Sequence, residues 1–158
     1  MIRFNFQAHI AGITGKRFQG RINAIFGLDP AGPLFSLNSP NGRFASGDAV
    51  YTEGIRTDIG GSGFSEPLAQ ADFYPNWGSN QPGCLSGSCS HSRAHVIFAE
   101  SIVSNRFTAR RCANFAQVTN RNCPTGQGTG TMGGEPWVMG QSGVFFLETN
   151  GGSPFARG

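Results

Sequence analysis

Residues 21–33 read Arg-Ile-Asn-Ala-Ile-Phe-Gly-Leu-Asp-Pro-Ala-Gly-Pro, and this stretch carries the clearest structural signal in the chain. Residues 21–28 form an apolar run typical of a buried strand, and Pro30 forces Asp29 out of helical geometry. The pattern predicts a strand that ends by presenting a carboxylate. Because open α/β sheets keep functional groups at the carboxyl ends of their strands, Asp29 is a candidate site residue. A turn aspartate before a proline is the alternative.

Further helices and strands are predicted on both sides of this stretch. Residues 8–18 place apolar side chains at helical spacing, and residues 91–104 are apolar around most of a helix, with Ser90 as the predicted N-cap. The other predicted strands share a branched and aromatic composition and lie at residues 48–57, 71–74 and 143–149. Residues 105–142 are predicted to be mostly irregular. Strands separated by helices indicate an α/β layer structure with four strands at most.

The composition excludes several classes of protein. The 158 residues suffice for one compact domain. The net charge is only +3, and 11 of the 12 basic residues are arginines scattered along the chain, so the basic patch of a nucleic-acid-binding protein is absent. A hydrophobic fraction of 38% with 14 phenylalanines excludes a disordered tail. No apolar run has the length that a transmembrane segment needs.

The four cysteines form two pairs that are close in sequence, Cys84 with Cys89 and Cys112 with Cys123. Two disulfides are the natural interpretation and four reduced thiols the alternative, while the two-residue spacing of a zinc site is missing. Disulfides imply an oxidising compartment. Residues 1–7, however, lack the basic patch and apolar stretch of a signal peptide, which taken alone favours a cytosolic protein. The two indications disagree.

His91 is the second candidate site residue. It begins a predicted helix beside a cysteine pair and a glycine-rich loop, which favours an imidazole at the surface of a cleft, and a capping or packing histidine is the alternative. Asp29 precedes it by 62 residues, in the order that α/β-hydrolases use after their serine. Asp29 would hold one ring nitrogen while His91 moves the proton of the nucleophile. No Gly-x-Ser-x-Gly turn occurs, so the sequence holds two triad members.

Other motifs carry less weight. The glycines at residues 128–133 match a dinucleotide-binding pattern but have neither a predicted strand before them nor a helix after them. His91 and His95 have zinc-protease spacing, but Ser92 replaces the required glutamate. We interpret His95 as structural and His9 as a packed, hydrogen-bonded histidine of the first helix. No metal and no cofactor are predicted.

Six motifs in order carry a family resemblance. They are Ala-His-Ile-Ala-Gly-Ile-Thr-Gly-Lys at residues 8–16, Gly-Leu-Asp-Pro-Ala-Gly-Pro at 27–33, Asp-Phe-Tyr-Pro-Asn at 72–76, Gln-Pro-Gly-Cys at 81–84, Cys-Ser-His-Ser-Arg at 89–93 and Phe-Ala-Glu-Ser-Ile at 98–102. The chain resembles the C-terminal half of the lipase domain in the animal pancreatic-lipase family, nearest to insect secreted lipases and phospholipases A1. The resemblance implies an incomplete α/β-hydrolase fold, a secreted protein and a lipid ester substrate, phospholipid or acylglycerol.

The resemblance also implies residue roles. Asp29 matches the triad acid, His91 the triad base, and the two cysteine pairs match family disulfides, the first of which closes the lid loop. Only four residues separate Cys84 from Cys89, where triacylglycerol lipases carry a long lid. So short a loop is similar to the phospholipase A1 branch, and an open cleft suits substrates with bulky polar heads.

Residues 1–7 depart from the family pattern that residues 8–158 follow. The family has a Gly-His-Ser-Leu-Gly elbow where this chain has Arg-Phe-Asn-Phe-Gln, so Asn5 stands at the place of the serine. An amide does not attack an ester, and Phe6 and Gln7 predict difficulty in making the sharp turn. Two explanations stay open. The chain is a fragment whose longer parent supplies the serine and the upstream oxyanion loop, or it is a non-catalytic lipid-binding or storage protein, similar to the yolk proteins of the family.

Two expectations concern the rest of the predicted sheet region. Pancreatic lipases bind calcium at positions that here hold Pro40, Arg43, Ala45 and Asp48. Only Asp48 keeps a carboxylate, so calcium is not predicted. The strand at residues 22–28 lacks the neighbour that carries the elbow, and its edge would be open unless residues 1–7 pair with it. We therefore expect an oligomer or aggregate to form through an exposed sheet edge.

Overall fold

The computed structural model describes residues 1–19 and 21–158, which form an α/β structure. Its strands are β1 (Ile2–Phe4), β2 (Ala24–Leu28), β3 (Tyr51–Ile55), β4 (Ala71–Pro75), β5 (Thr108–Cys112), β6 (Thr129–Thr131) and β7 (Gly143–Leu147). Its helices are α1 (Phe6–Arg17), α2 (Gly87–Ser104) and α3 (Phe115–Thr119), with short 3₁₀ turns at Pro40–Gly42 and Asn76–Gly78. One sheet has the order β1-β2-β3-β4-β7-β5-β6. The predicted class, an incomplete α/β-hydrolase fold, is confirmed.

The centre of the sheet is parallel and covered on both faces. Strands β1, β2, β3, β4 and β7 run parallel, and every residue of β2, β3 and β4 is buried. Successive strand residues point to opposite faces. Phe26 of β2 packs in the core cluster that contains Ile97 of α2, while Ile25 packs in the cluster that contains Ala11 of α1. This two-sided burial explains the continuous apolar runs in the sequence.

Residues 1–7 form a strand, a sharp turn at Asn5 and the start of a helix. Strand β1 pairs with β2, so the edge of β2 is covered by residues 1–7 instead of open, and Asn5 connects β1 directly to α1 with φ 54° and ψ −128°. The chain makes this sharp turn with Phe6 and Gln7 in place, and Asn5 takes an uncommon positive φ to do so. Arg3, Phe6 and Gln7 are exposed, and the Phe6 ring packs against the Phe35 ring at a centroid distance of 5.5 Å, so these side chains lie outside the turn.

The expectation of four strands at most is also wrong, because residues 105–142 contain β5, α3 and β6. Strand β5 is antiparallel to β7 and β6, and only its second and fifth residues are buried. Its Arg110 and Arg111 remain at least partly accessible, so the strand lacks the apolar run that marks β2. Short, partly exposed strands at the end of a sheet give a weak sequence signal.

Helix α2 begins earlier than predicted. It starts at Gly87, and its N-cap is Ser86, whose hydroxyl accepts a hydrogen bond from the Cys89 N–H at 3.3 Å. Ser90, the predicted cap, instead accepts a hydrogen bond from the Gln81 N–H at 3.1 Å. The extra turn carries the glycine and serines that the sequence analysis assigned to a loop.

Glu53 is a buried carboxyl in the middle of β3. Its Oε2 accepts a hydrogen bond from the Tyr51 hydroxyl at 2.7 Å, and its Oε1 accepts one from the Gly133 N–H at 2.7 Å. Burial raises the pKa of Glu53 to about 7, because desolvation disfavours the charged carboxylate more than these hydrogen bonds favour it. Folding therefore binds a proton at this residue between the ordinary pKa of 4.5 and about pH 7.

We expect Glu53→Gln to change how stability depends on pH. A raised folded-state pKa means that the contribution of Glu53 is complete below its ordinary pKa and is lost as the pH rises through about 7. From pH 4.5 to 8, the unfolding free energy of the wild type should fall relative to that of Glu53→Gln, by up to about 3 kcal/mol. Urea denaturation measures this difference, with Glu148→Gln on the surface as the control. A difference that stays constant with pH would contradict the assignment.

Candidate functional site

Asp29 lies immediately after β2 with its side chain fully buried. Its backbone is left-handed, with φ 41°, and its N–H donates to the Ile55 carbonyl at 2.7 Å. Its Oδ1 accepts hydrogen bonds from the backbone N–H groups of Thr57 at 2.8 Å and Asp58 at 3.3 Å. The segment that follows β3 therefore fixes the orientation of the carboxylate and leaves Oδ2 for a separate partner.

That partner is His91, near the start of α2. The His91 Nδ1 lies 2.6 Å from Asp29 Oδ2. Since a carboxylate accepts, Nδ1 carries the hydrogen, and in the neutral ring Nε2 carries a lone pair. Nε2 is buried and has no hydrogen-bond partner among the described residues. The two predicted site residues thus meet in the geometry of a histidine held by a carboxylate, with the second ring nitrogen free to accept a proton.

The turn at Asn5 lies beside this imidazole. The Phe4 ring packs against the His91 ring at a centroid distance of 4.5 Å, and Asn5 follows it in the strand-to-helix turn. A positive φ is uncommon for a residue other than glycine, and such strained backbone clusters at functional sites. The conformation is the kind of sharp strand-to-helix turn on which α/β-hydrolases expose their nucleophile. Here it exposes an amide.

Gly63 lets a loop close over Asp29. Ala31 and Gly63 form an antiparallel bridge, and the Gly32 N–H donates to the Ser62 carbonyl at 2.8 Å. A Cβ atom at position 63 would lie 2.5 Å from Asp29 Oδ1 and 2.7 Å from Oδ2. This position therefore needs a glycine, because any side chain would displace the carboxylate that holds His91.

We expect Gly63→Ala to destabilise the fold and move Asp29. Forcing a methyl group into so close a contact costs about 1–3 kcal/mol. Gly152→Ala is the matched control, because a Cβ there meets nothing within 4 Å. Chemical denaturation of both variants measures the difference. Equal stability of the two would contradict the close approach.

Asp58 adds a second carboxylate to the cluster. One possible ligand atom each from Asp29, Asp58 and His91 lie within 4.8 Å of one another, as a metal site would require. Both Asp29 oxygens already accept protein hydrogen bonds, and Asp58 Oδ2 accepts one from the Ser62 N–H at 2.8 Å. Hydrogen bonds within the protein account for the arrangement, and we assign no metal to it.

Thr57 and Gln81 are supporting residues that the sequence analysis missed. The Thr57 hydroxyl donates to the His91 carbonyl at 3.3 Å, and Gln81 Nε2 donates to the carbonyls of Thr57 at 3.1 Å and Pro75 at 2.9 Å. Gln81 is 1% exposed. It joins the ends of β3 and β4 to the loop that precedes α2. Its only sequence signal was its place in the motif at residues 81–84.

The cysteines and His9 agree with the sequence analysis, whereas His95 is exposed and its predicted structural role stays a prediction. Cys84 is bonded to Cys89 and Cys112 to Cys123, which confirms both predicted disulfides. His9 is buried, its Nε2 donates to the Ala31 carbonyl at 2.8 Å, and its Nδ1 accepts from the Phe44 N–H at 3.1 Å. Burial lowers the pKa of His9 to about 4. This confirms a packed, hydrogen-bonded histidine.

Two further observations bear on membranes and on the lid. Across residues 1–19 and 21–158, none of the helices combines the length and apolar character needed to cross a membrane. Leu85, inside the short Cys84–Cys89 loop, is fully exposed, as is Leu34 in the loop after Asp29.

Known proteins resemble this chain over most of its length. A family model described as Lipase matches residues 1–155. Lipase member H-B of Xenopus laevis is 42% identical over 132 residues, which cover 78% of this chain and 29% of the relative. Lipase member H of Danio rerio is 30% identical over an alignment 177 residues long, which covers 99% of this chain and 39% of the relative. Hepatic triacylglycerol lipase of Rattus norvegicus is 33% identical over an alignment 187 residues long, which covers 98% of this chain and 38% of the relative. The chain spans less than a third of the length of the first of these relatives.

Proposed function

Because the chain belongs to the pancreatic lipase family, we propose that it is the C-terminal half of the catalytic domain of a secreted carboxylic-ester hydrolase. The hydrogen bond of 2.6 Å between Asp29 and His91 is the observation that carries the proposal. In this proposal residues 8–158 are the C-terminal half of the lipase domain, and residues 1–7 replace the nucleophile elbow. The longer protein supplies the serine.

The proposed chemistry uses Asp29 and His91 as a proton relay. His91 Nε2 takes the serine proton as the serine oxygen attacks the ester carbonyl carbon, and the same nitrogen then protonates the departing alcohol. A water molecule repeats the attack on the acyl-enzyme and releases the fatty acid. Asp29 stays ionised throughout, orients the ring through Nδ1–H and stabilises the imidazolium.

The loop between Cys84 and Cys89 supports a phospholipase A1 type of substrate. Four residues are too few for a lid over the region around His91, so in this proposal a phospholipid with a bulky polar head needs no opening step of that loop. The exposed Leu85 on this loop offers an apolar contact to a lipid surface. Two disulfides support secretion, because disulfides persist mainly in oxidising compartments.

A fluorophosphonate probe applied to the native protein in extracts and secretions of its source tests the proposal. Labelling of a species that contains residues 8–158, identified by mass spectrometry, is the expected result. An in-frame Gly-x-Ser-x-Gly codon sequence upstream of the transcript region for residue 8 would accompany it. A folded native protein that is never labelled would contradict the enzyme and favour a non-catalytic lipid-binding or storage protein.

We expect the isolated chain to self-associate. Strand β1 pairs with β2 on one side, and Ile2 of β1, Phe6 and Ile10 of α1 are each more than two-fifths exposed. An accessible strand edge beside exposed apolar side chains promotes association. Light scattering after size exclusion should show species larger than the 16.8 kDa monomer, and replacing Ile2 with lysine should shift them towards monomer. A sharp monomer peak with cooperative melting would overturn this expectation.

A further inference from the structure

The loop between β2 and β3 does not offer the donor set that calcium needs. Calcium takes six to eight oxygen ligands, largely carboxylates and carbonyls. Of the four positions that correspond to the calcium ligands of pancreatic lipases, Ala45 has no side-chain oxygen, and Pro40 and Arg43 can offer only their backbone carbonyls. Asp48 alone keeps a carboxylate, so the donor set does not fit.

The ammonium group of Lys16 contacts two of these four positions, Arg43 and Asp48. Lys16 Nζ lies 2.6 Å from Asp48 Oδ1 and donates to the Arg43 carbonyl at 2.8 Å. Asp48 Oδ2 accepts a hydrogen bond from the Ala45 N–H at 2.8 Å, and Asp48 is 2% exposed. The carboxylate and the carbonyl that would face a metal ion therefore both face an ammonium ion.

A second side-chain cation, Arg43, contacts three more carbonyls of the loop. The Arg43 guanidinium donates to the carbonyls of Ser36 at 3.0 Å, Leu37 at 3.1 Å and Phe44 at 2.7 Å. Arg43 is 7% exposed. These three carbonyl oxygens therefore have hydrogen-bond donors within the protein, and the loop does not need an added ion to hold them.

The fold of α1 explains why Lys16 reaches this place. A Cβ atom at Gly15 would lie 2.0 Å from the Asp48 carbonyl oxygen, and one at Gly12 would lie 2.5 Å from Phe44 Cα. These glycines let the loop press against the helix, so the next residue, Lys16, extends into the loop. A cation in the last helical turn is also favoured by the helix dipole. Lys16 is the only lysine of the chain.

We propose that Lys16 is a built-in structural cation that replaces calcium in this loop and makes the fold independent of calcium. The ion pair fastens the connection between Asp29 and β3 to α1. Because Asp48 is buried, the pair differs from a surface salt bridge, and loss of the ammonium leaves a buried carboxylate without its cation.

Thermal unfolding of the 158-residue chain, in excess calcium and in excess EDTA, tests the proposal. The wild type should have the same Tm in both conditions. Lys16→Met should lower the Tm by about 5 °C, and the exposed neighbour Arg17→Met, the matched control, should change it by about 1 °C or less. Asp48→Asn combined with Lys16→Met should cost less than the sum of the single changes, because the two residues act as a pair.

Two results would overturn the proposal. One is a wild-type Tm that drops in EDTA and is restored by calcium, and this measurement does not depend on whether any variant folds. The other is a Lys16→Met variant whose Tm equals that of Arg17→Met. Terbium luminescence tests separately whether the chain has a calcium site. The wild type should show no saturable site that calcium competes for, and such a site, lost in Asp48→Asn, would count against Lys16 as the cation.

Discussion

Replacing Asn5 with serine is expected to make this chain react with a fluorophosphonate probe that does not label the unmodified chain. Asn5 already has φ 54° and ψ −128° at the turn between β1 and α1, and Phe4 beside it packs on the His91 ring. Serine at this place presents a hydroxyl next to an imidazole whose Nε2 has no partner within the described residues. In such a variant the N–H of Phe6, which follows the nucleophile position, would be one donor for the oxyanion.

The size of this effect follows from general base catalysis. A positioned base contributes about 10²–10⁴ in rate, so Asn5→Ser should react about 10²–10⁴ times faster than Asn5→Ser combined with His91→Ala. It should still be about 10²–10³ slower than a complete lipase, because the second oxyanion donor belongs to a loop upstream of the elbow. Labelling rates followed by gel fluorescence measure both ratios. A folded Asn5→Ser chain that stays unlabelled would show that this turn is not a nucleophile elbow.

In the longer protein that supplies the serine, Asp29→Asn is expected to lower turnover about 10⁴-fold. Loss of the triad carboxylate has this effect when the geometry is kept. An asparagine amide would donate to His91 Nδ1 and place the ring hydrogen on Nε2, where it can no longer accept the serine proton. The fall should appear in kcat, with KM little changed, because Asp29 is buried and does not touch substrate.

Asp58→Asn is the matched control for this prediction. Asp58 lies in the same cluster but makes no direct hydrogen bond to His91, and its Oδ2 accepts from the Ser62 N–H at 2.8 Å. Its replacement should lower kcat less than about tenfold, since the tautomer of His91 is unchanged. If instead Asp58→Asn abolished turnover and Asp29→Asn did not, the roles of the two carboxylates would be exchanged.

The sequence predicted the parts of the fold that are buried on both faces. β2 and β4 are continuous buried segments, and their composition reveals them without tertiary information. Strands β5 and β6 were not predicted, because they are only partly buried and because β6 contains Gly130, whose backbone packs against Phe145. Such a strand is defined by its partner strand, which local sequence does not report.

The sequence predicted Asp29 and His91 as site residues, but it did not predict the groups that hold them in place. Asp29 stood out because Pro30 ends its strand, and His91 because it follows a cysteine pair. Their hydrogen bond joins residues 62 positions apart, a fact that only the fold supplies. The N–H groups of Thr57 and Asp58 are backbone donors with no side-chain signature. The catalytic role of Asp29 and His91 remains a prediction.

Chemical rescue of His91→Ala tests the central claim most directly. In the serine-bearing longer protein, His91→Ala should lower ester hydrolysis by at least about 10⁴-fold, because triad members act as a unit. Added imidazole should restore part of that activity by entering the vacated space beside Asp29, and Asp29→Asn in the same background should abolish the rescue. Unchanged ester hydrolysis by His91→Ala without imidazole would contradict the proposal that this pair moves the proton.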